Sequence, residues 1–289
     1  MRVALVTDST ASLSSRTAAE HDVRVVPLQV VIGDTAHEEG SEAASPQRLA
    51  AALRERRRPV STSRPAPEVV LATYEELVRE GYDEIVSVHL SGELSGTVES
   101  AQLAARRVGV PVHVVDTRQV GMGTGFAVLS AAAVLEAGGT GEDAARVAGE
   151  RGRATTSLFY VDTLEHLRRG GRVGAAAALV GSALAVKPIL RLTDGRVGAF
   201  EKVRTAGKAL QRLEVLAAEA ATGPVDVAVA HLEAGARAAA LVAGLTGRLE
   251  EHLEGRPVAL VEIGAVLGAN VGPGMVAVVV APRPPQPGA

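Results

Sequence analysis

The chain has 289 residues, a formal charge of −3, no cysteine, no tryptophan, and only three phenylalanines and three tyrosines. The near balance of charge gives no electrostatic case for nucleic acid or an anionic membrane, and without thiols there is neither a disulfide framework nor cysteine chemistry. So few rings make a stacking platform for bases or sugars improbable and leave the core to Ala, Val and Leu, in a chain long enough for two domains.

Strand and helix patterns alternate through the first half. Val3 to Thr7 and Val23 to Ile32 are β-branched runs that read as strands. Ser45-Pro46 places a capping hydroxyl before a proline at the first helical position and opens a helix to about Arg57. Pro67 to Glu80 carries Val70, Leu71, Tyr74 and Leu77 at helical spacing, and Gly81 stops it. A strand at Ile85 to Leu90, a helix at Gly96 to Arg107 and a strand at Val112 to Asp116 follow. Helices from Gly123 to Ala137 and Glu142 to Arg151 complete this half. Such alternation predicts a parallel sheet covered on both faces.

The second half changes character. After a strand at Thr156 to Val161, a short helix with Leu164 and Leu167 runs into the basic turn Arg168 to Arg172, and Ala175 to Ala185 reads as a small-residue helix. Pro188 to Leu192 and Val197 to Val203 flank Asp194-Gly195, a strong hairpin turn. Helices at Ala206 to Ala221 and Ala234 to Leu253 then alternate with strands at Val225 to His231, Val258 to Ile263 and Met275 to Val280. A hairpin among helices predicts a mixed sheet in a separate domain. The expected division is an N-terminal α/β domain over residues 1–153, a C-terminal α/β domain over 154–281 and a disordered, proline-rich tail over 282–289. No apolar run approaches the ~20 residues of a membrane span, and Asp8 falls too early for the core of a signal peptide, so a soluble, cytoplasmic protein is expected.

Three hydroxyl-rich stretches stand out: Thr7-Asp8-Ser9-Thr10, Ser61 to Pro65, and Ser91-Gly92-Glu93-Leu94-Ser95-Gly96-Thr97. Loops leaving parallel strands line one crevice, the usual ligand site of such sheets. Ser, Thr and Gly supply neutral donors but no metal ligands and no base, a set suited to holding a ligand more than transforming it. Each stretch also has a plain structural reading. Asp8 and Ser9 serve equally as helix caps, and Thr62-Ser63 as an extended lead into Pro65. Gly121-Met122-Gly123-Thr124-Gly125 departs from the dinucleotide fingerprint in spacing, and no strand ending in an acidic residue follows about 20 positions on. The histidines show no paired metal spacing, and His231 is the one at a strand end near plausible chemistry. The Gly264 to Gly274 loop, with Gly272-Pro273-Gly274, demands unusual backbone angles and is a candidate to close over a ligand.

Taken in order, these stretches resemble the DegV family of bacterial fatty-acid-binding proteins. The matching pieces are Thr7 to Thr10, Thr62 to Pro65, Ser91 to Thr97 with Ser100-Ala101, Val115 to Thr117 and Gly121 to Gly125. Val161 to Leu164 with Gly170-Gly171-Arg172, Lys187 to Leu190, Lys202 to Thr205, and Gly268 with Gly272 to Gly274 complete them. The resemblance implies a two-domain fold, an N-terminal three-layer α/β/α domain with a parallel sheet and a C-terminal α/β domain with a mixed sheet. It implies one buried long-chain fatty acid, no other cofactor, no metal and no catalysis by the chain itself. It also implies a partner, a separate ATP-dependent kinase that phosphorylates the fatty-acid carboxylate for phospholipid synthesis. The carboxylate contacts of the family fall on Thr62 and on the Ser91-Gly92 pair, where the second hydroxyl is missing and Ser91 and Ser95 remain as alternatives. Asn270 stands where the family usually has a histidine, and Arg64 replaces a usual glutamine and can add charge near the headgroup. Ser9, Thr10, Gly92 and Gly272 belong to the ligand-lining loops, and Arg172 and Arg204 match positions implicated in kinase docking.

Elementary energetics agree with such a ligand. Burying ten methylenes yields roughly 8 kcal/mol before ordering costs, and desolvating the carboxylate opposes this unless hydroxyls and helix-start amides meet it. Ile32, the Ala175 to Val186 helix and Ile189 are candidate apolar walls. Two competing readings remain: an enzyme using Ser9 or Ser91 as nucleophile, for which no Gly-x-Ser-x-Gly elbow and no His–Asp pair is assignable, and a nucleotide-binding regulator working through Gly121 to Gly125.

Overall fold

The computed structural model describes residues 2–55, 59–179 and 187–284. Strand β1 (Val3–Asp8), helix α1 (Ser15–Glu20) and β2 (Val23–Val26) lead to β3 (Gln29–Ile32), β4 (Thr35–Glu38), α2 (Pro46–Glu55) and β5 (Val60–Ser63). Then come α3 (Pro67–Arg79), β6 (Glu84–His89), α4 (Thr97–Ala105), β7 (Val112–Asp116), α5 (Met122–Glu136) and α6 (Gly141–Ala154). The second half runs β8 (Thr156–Tyr160), α7 (Glu165–Arg169), β9 (Lys187–Thr193), β10 (Arg196–Val203), α8 (Ala206–Ala220) and β11 (Val225–His231). It closes with α9 (Gly235–Arg248), α10 (Glu250–Leu253), β12 (Ala259–Glu262), α11 (Ala265–Val271) and β13 (Val276–Pro282).

These elements form two compact units that are not contiguous in sequence. Residues 2–29 and 63–154, with Pro284, make the first; residues 30–62 and 155–283 make the second. The segment 30–62 therefore belongs with the C-terminal half, a difference from the contiguous halves that composition suggests. Its anchors are non-local: the Glu39 carboxylate accepts the Val266 N–H at 2.7 Å, Gln47 donates to Glu262 at 3.2 Å, and Arg54 pairs with Glu233.

In the first unit a parallel four-stranded sheet has the order β2-β1-β6-β7. Alternation along the strands feeds two cores. Ala4, Val6 and Ile85 join Val70, Tyr74 and Leu77 of α3, while Leu5, Val86 and Val88 join Ala127 and Ala131 of α5 and Ala144 and Ala148 of α6. Alanines at these contacts let helices lie close to the sheet and to one another, which is how a chain nearly without rings fills its interior. The result is the expected three-layer arrangement. The strand order reverses between β1 and β6, so the crevice rule puts a ligand site at their C-terminal ends.

The second unit has a mixed six-stranded sheet, β10-β9-β8-β13-β11-β12, in which only β11 and β12 pair in parallel, and a three-stranded sheet, β4-β3-β5. One face of the large sheet, with Tyr160, Val227, Val229 and Val278, is covered by Leu213 of α8 and Leu241 and Leu245 of α9. The β9–β10 turn is Asp194-Gly195 with φ of 48° and 80°, two left-handed residues as that dipeptide predicts.

Several expectations need correction. The strand expected at Val23 to Ile32 is broken at Pro27, which has no N–H for a ladder, and the next amide, Leu28 N–H, donates to Ser9 Oγ at 3.0 Å. The helix expected from Ala234 to Leu253 breaks at Leu249. Gly174–Leu179 forms a tight 3-10 segment that starts from Gly174, at φ 49° beside the Val197 carbonyl; residues 180–186 of the helix expected there lie outside the described residues. Ile189, expected as a ligand wall, is packed into the core beneath α8. The expected glycine loop at 264–274 contains α11. Strand β13 continues to Pro282, and Arg283 donates its N–H to Pro224 O and its guanidinium to His252 O and Leu253 O, so the expected tail is ordered at its start; residues 285–289 lie outside the described residues.

Candidate binding site

In the first unit, the C-terminal ends of β1 and β6 bring together Ser9, Thr10, Ser91, Gly92 and Ser95. The organising group is Asp8, 1% exposed. One of its oxygens accepts Thr10 N–H at 3.0 Å and Thr10 Oγ1–H at 2.5 Å; the other lies 3.0 Å from both Leu90 N–H and His89 Nδ1. A carboxylate is left without solvent here because four donors converge on it. Thr10 thereby spends its hydroxyl proton inside the protein, on Asp8.

The β6 loop is equally organised. Ser91 is fully buried, its N–H donating to Gln119 O at 2.8 Å and its Oγ accepting Glu93 N–H at 3.2 Å. Gly92 N–H reaches Asp116 Oδ2 at 3.2 Å, and a Cβ on Gly92 would stand only 3.0 Å from that oxygen, so the missing second hydroxyl leaves room for an acid. Ser95 Oγ shares a hydrogen bond with Thr97 Oγ1 at 2.9 Å. Arg64 donates to Gly96 O at 3.1 Å and pairs with Glu99, so the charge expected near a headgroup is already balanced by that glutamate. The 121–125 glycines answer to packing. A Cβ at Gly125 would approach Ala11 O to 2.6 Å, and one at Gly123 would approach Gln119 Oε1 to 2.9 Å. No phosphate role is needed to explain them.

In the second unit, Thr62 sits half-buried on β5, and Arg204 is exposed just after β10. The remaining expected residues gather where α7 meets α11. Asn270 donates Nδ2–H to Val266 O at 2.9 Å, one turn back in α11, and its Oδ1 packs against Gly170. Arg172 donates to Gly170 O. Gly272, φ 75°, ends α11 with the His166 ring against its Cα, and Gly274, φ 87°, lies against Asp162. Both positions require glycine twice over, by backbone angle and by space.

Asp162 enters the sequence analysis only as part of the Val161 to Leu164 stretch, with no role of its own. It accepts from Tyr160, lies 3.5 Å from Lys187 Nζ and 3.8 Å from Arg237, and together with burial keeps the Tyr160 phenol protonated far above its usual range. Also missed were Tyr74, Ser87 and His89, which extend the Asp8 network inward. One signal was legible: Ser87 and His89 are two apart in an otherwise apolar strand, hence on one buried face, and buried polar groups need partners. Among the described residues no helix is long and apolar enough to cross a membrane.

Comparison with known proteins agrees with this architecture. The model of the DegV family, described as uncharacterised proteins, matches residues 2–283. A DegV domain-containing protein of Streptomyces coelicolor is 53% identical over 97% of this chain and 99% of its own, and protein DegV of Bacillus subtilis is 34% identical over 95% and 97%. Among solved structures, a fatty-acid-binding DegV family protein from Thermus thermophilus superposes with a TM-score of 0.88 at 34% identity, covering 98% of this chain and 100% of that one. DegV from Bacillus subtilis, a fatty acid binding protein, gives 0.87 at 32% identity with the same coverage. Since the match extends over both units, the chain belongs to the DegV family.

Proposed function

We propose that this protein binds one long-chain fatty acid and, without catalysis of its own, presents the carboxylate to a separate ATP-dependent kinase that forms an acyl phosphate for phospholipid synthesis in the cytoplasm. The observation that carries the reading is the near-complete likeness to structures described as fatty-acid-binding, at a third of residues identical. Two features of the chain support it. The Thr7 to Thr10 and Ser91 to Thr97 loops sit at a strand-order reversal, and the face of the six-stranded sheet opposite α8 and α9 is apolar and rich in small residues, with Leu190, Leu192, Ala228, Ala230 and Val279 buried. In this reading Thr62 and Ser91 or Ser95 hydrogen-bond the headgroup and Asn270 contributes an amide, while Ser9, Gly92 and Gly272 shape the lining. Arg172 and Arg204 dock the kinase. Neutral donors would leave the carboxylate nucleophilic enough to attack a phosphoryl group.

Native mass spectrometry of the purified protein tests the binding step. A co-purifying long-chain fatty acid is expected, and a bound nucleotide would replace the reading. Thr62→Ala should weaken retention roughly tenfold, the worth of one hydrogen bond to a charged group. Arg172→Ala should retain lipid and lose phosphorylation by the kinase; unaltered phosphorylation would remove Arg172 from the docking surface.

A further inference from the structure

We propose that Tyr74, Ser87, His89 and Asp8 form a one-directional hydrogen-bond relay whose last member, Asp8, clamps the β1 and β6 loops together, making Tyr74, Ser87 and His89 positioning residues for the Ser91 loop. The clamp itself is independent of ligand; its role toward a fatty-acid headgroup rests on the function proposed above.

The direction of the relay follows from donor bookkeeping. Tyr74 O–H reaches Ser87 Oγ at 2.8 Å, Ser87 Oγ lies 2.7 Å from His89 Nε2, and His89 Nδ1 lies 3.0 Å from Asp8 Oδ2. Tyr74, Ser87 and His89 are fully buried. An ionised carboxylate only accepts, so the proton between His89 and Asp8 sits on Nδ1. At the other end, burial pushes the Tyr74 phenol up to about 12, so it remains a donor at neutral pH and its proton goes to Ser87. The Ser87 proton then points to His89 Nε2, which must carry a lone pair. His89 is thus a neutral imidazole held in the Nδ1–H tautomer. An imidazolium would turn Nε2 into a second donor aimed at Ser87, whose Oγ would then accept from both neighbours and leave its own buried proton without either as an acceptor.

The arrangement has the order of a Ser–His–Asp triad, but the serine is Ser87 rather than Ser9 or Ser91, and it is capped by a phenol in the core. It is therefore unsuited to attack an external substrate and suited to holding Asp8. Two loops depend on Asp8 at once: Thr10 through its amide and hydroxyl, and Leu90, immediately before Ser91, through its amide. Since β1 and β6 flank the point where strand order reverses, one carboxylate sets the spacing of both lips of the crevice.

Three measurements on the whole chain test this. Long-range nitrogen NMR of histidine-labelled protein at neutral pH should show His89 neutral with its proton on Nδ1, assigned by the loss of its signals in His89→Asn. An imidazolium or an Nε2–H tautomer would overturn the proposal. Amide hydrogen exchange should then show Leu90 and Thr10 accelerated at least about tenfold in His89→Leu. The effect should be smaller in His89→Asn, whose side-chain amide can still donate to Asp8, while the β7 amides stay unchanged. Exchange that rises evenly across the sheet, or not at all, would reduce the network to ordinary core packing. Discrimination between a fatty acid and its alcohol should fall in His89→Leu and recover in His89→Asn. If the wild-type protein retains no lipid while the NMR and exchange results hold, the lipid reading fails and the clamp stands.

Discussion

All three tyrosines hold their protons above the ordinary phenol range, each for its own reason. Burial raises Tyr74 to about 12 against the hydrogen bond with Ser87, which lowers it; burial and then Asp162 raise Tyr160; the hydrogen bond to Asp22, ahead of burial, raises Tyr82. A phenol whose folded pKa lies above its unfolded value of 10.0 contributes stability that is complete below pH 10.0 and lost as pH climbs through the folded value. Absorbance in the tyrosinate band should stay low at pH 10.0 and rise together with alkaline unfolding. A folded protein that ionises a tyrosine with a midpoint near 10.0 would contradict the environments described. Tyr74→Phe should lower stability by about 1 kcal/mol, because it removes a donor from a buried serine. At this scale the sequence shows which hydroxyls and amides are present but not which partners inside the fold they take up. The Thr10 hydroxyl, in a stretch of the sequence rich in donors, is taken up by Asp8, and one amide proton of Asn270 goes back to Val266 O.

Among the elements, α5 shows how a motif can mislead. Its first turns carry Gly121, Gly123 and Gly125 after a strand, the setting of a phosphate loop, yet the helix is buried from Met122 to Val128 and needs glycine to lie against Ala11. In an exposed helix Gly→Ala would stabilise by up to about 1 kcal/mol. Here Gly125→Ala should destabilise by roughly 1–3 kcal/mol, since the obstructing atom is a backbone oxygen that cannot swing aside. Thermal melting decides between the signs, and a raised midpoint would show that the glycine has a purpose other than packing. Helix α11 is the converse error. Gly264, Gly268, Gly272 and Gly274 read as loop punctuation, but Gly268 admits Leu49 of α2 and Glu39 caps the first turn from far away in the chain. The hairpin at Asp194-Gly195 was legible because its turn chemistry is entirely local.

For the whole molecule, the decisive fact is that residues 30–62 leave the first unit and join the second. Without them, α11 loses the Glu39 cap and the Leu49 side chain, Glu233 loses Arg54, and Glu262 loses Gln47. A fragment beginning at Thr155 should therefore fold poorly although it holds the entire six-stranded sheet, and supplying residues 30–62 should improve it. Circular dichroism and size-exclusion chromatography read this directly; a cooperative, monomeric 155–284 fragment would show the excursion to be dispensable.

Alternating apolar runs, capped helices and an Asp-Gly turn were enough for the sequence to determine two α/β sheets, one parallel and one mixed, with hydroxyl-rich loops at the strand ends. These features depend on periodicity and on neighbours a few residues away. Only the tertiary structure decided that 30–62 belongs with 155–283, that 265–271 is a helix, and that the second oxygen of Asp8 is met by His89 and Leu90. Each of those outcomes rests on a group satisfied by another dozens to hundreds of residues away, and no local pattern of hydrophobicity or turn chemistry records where such a partner lies.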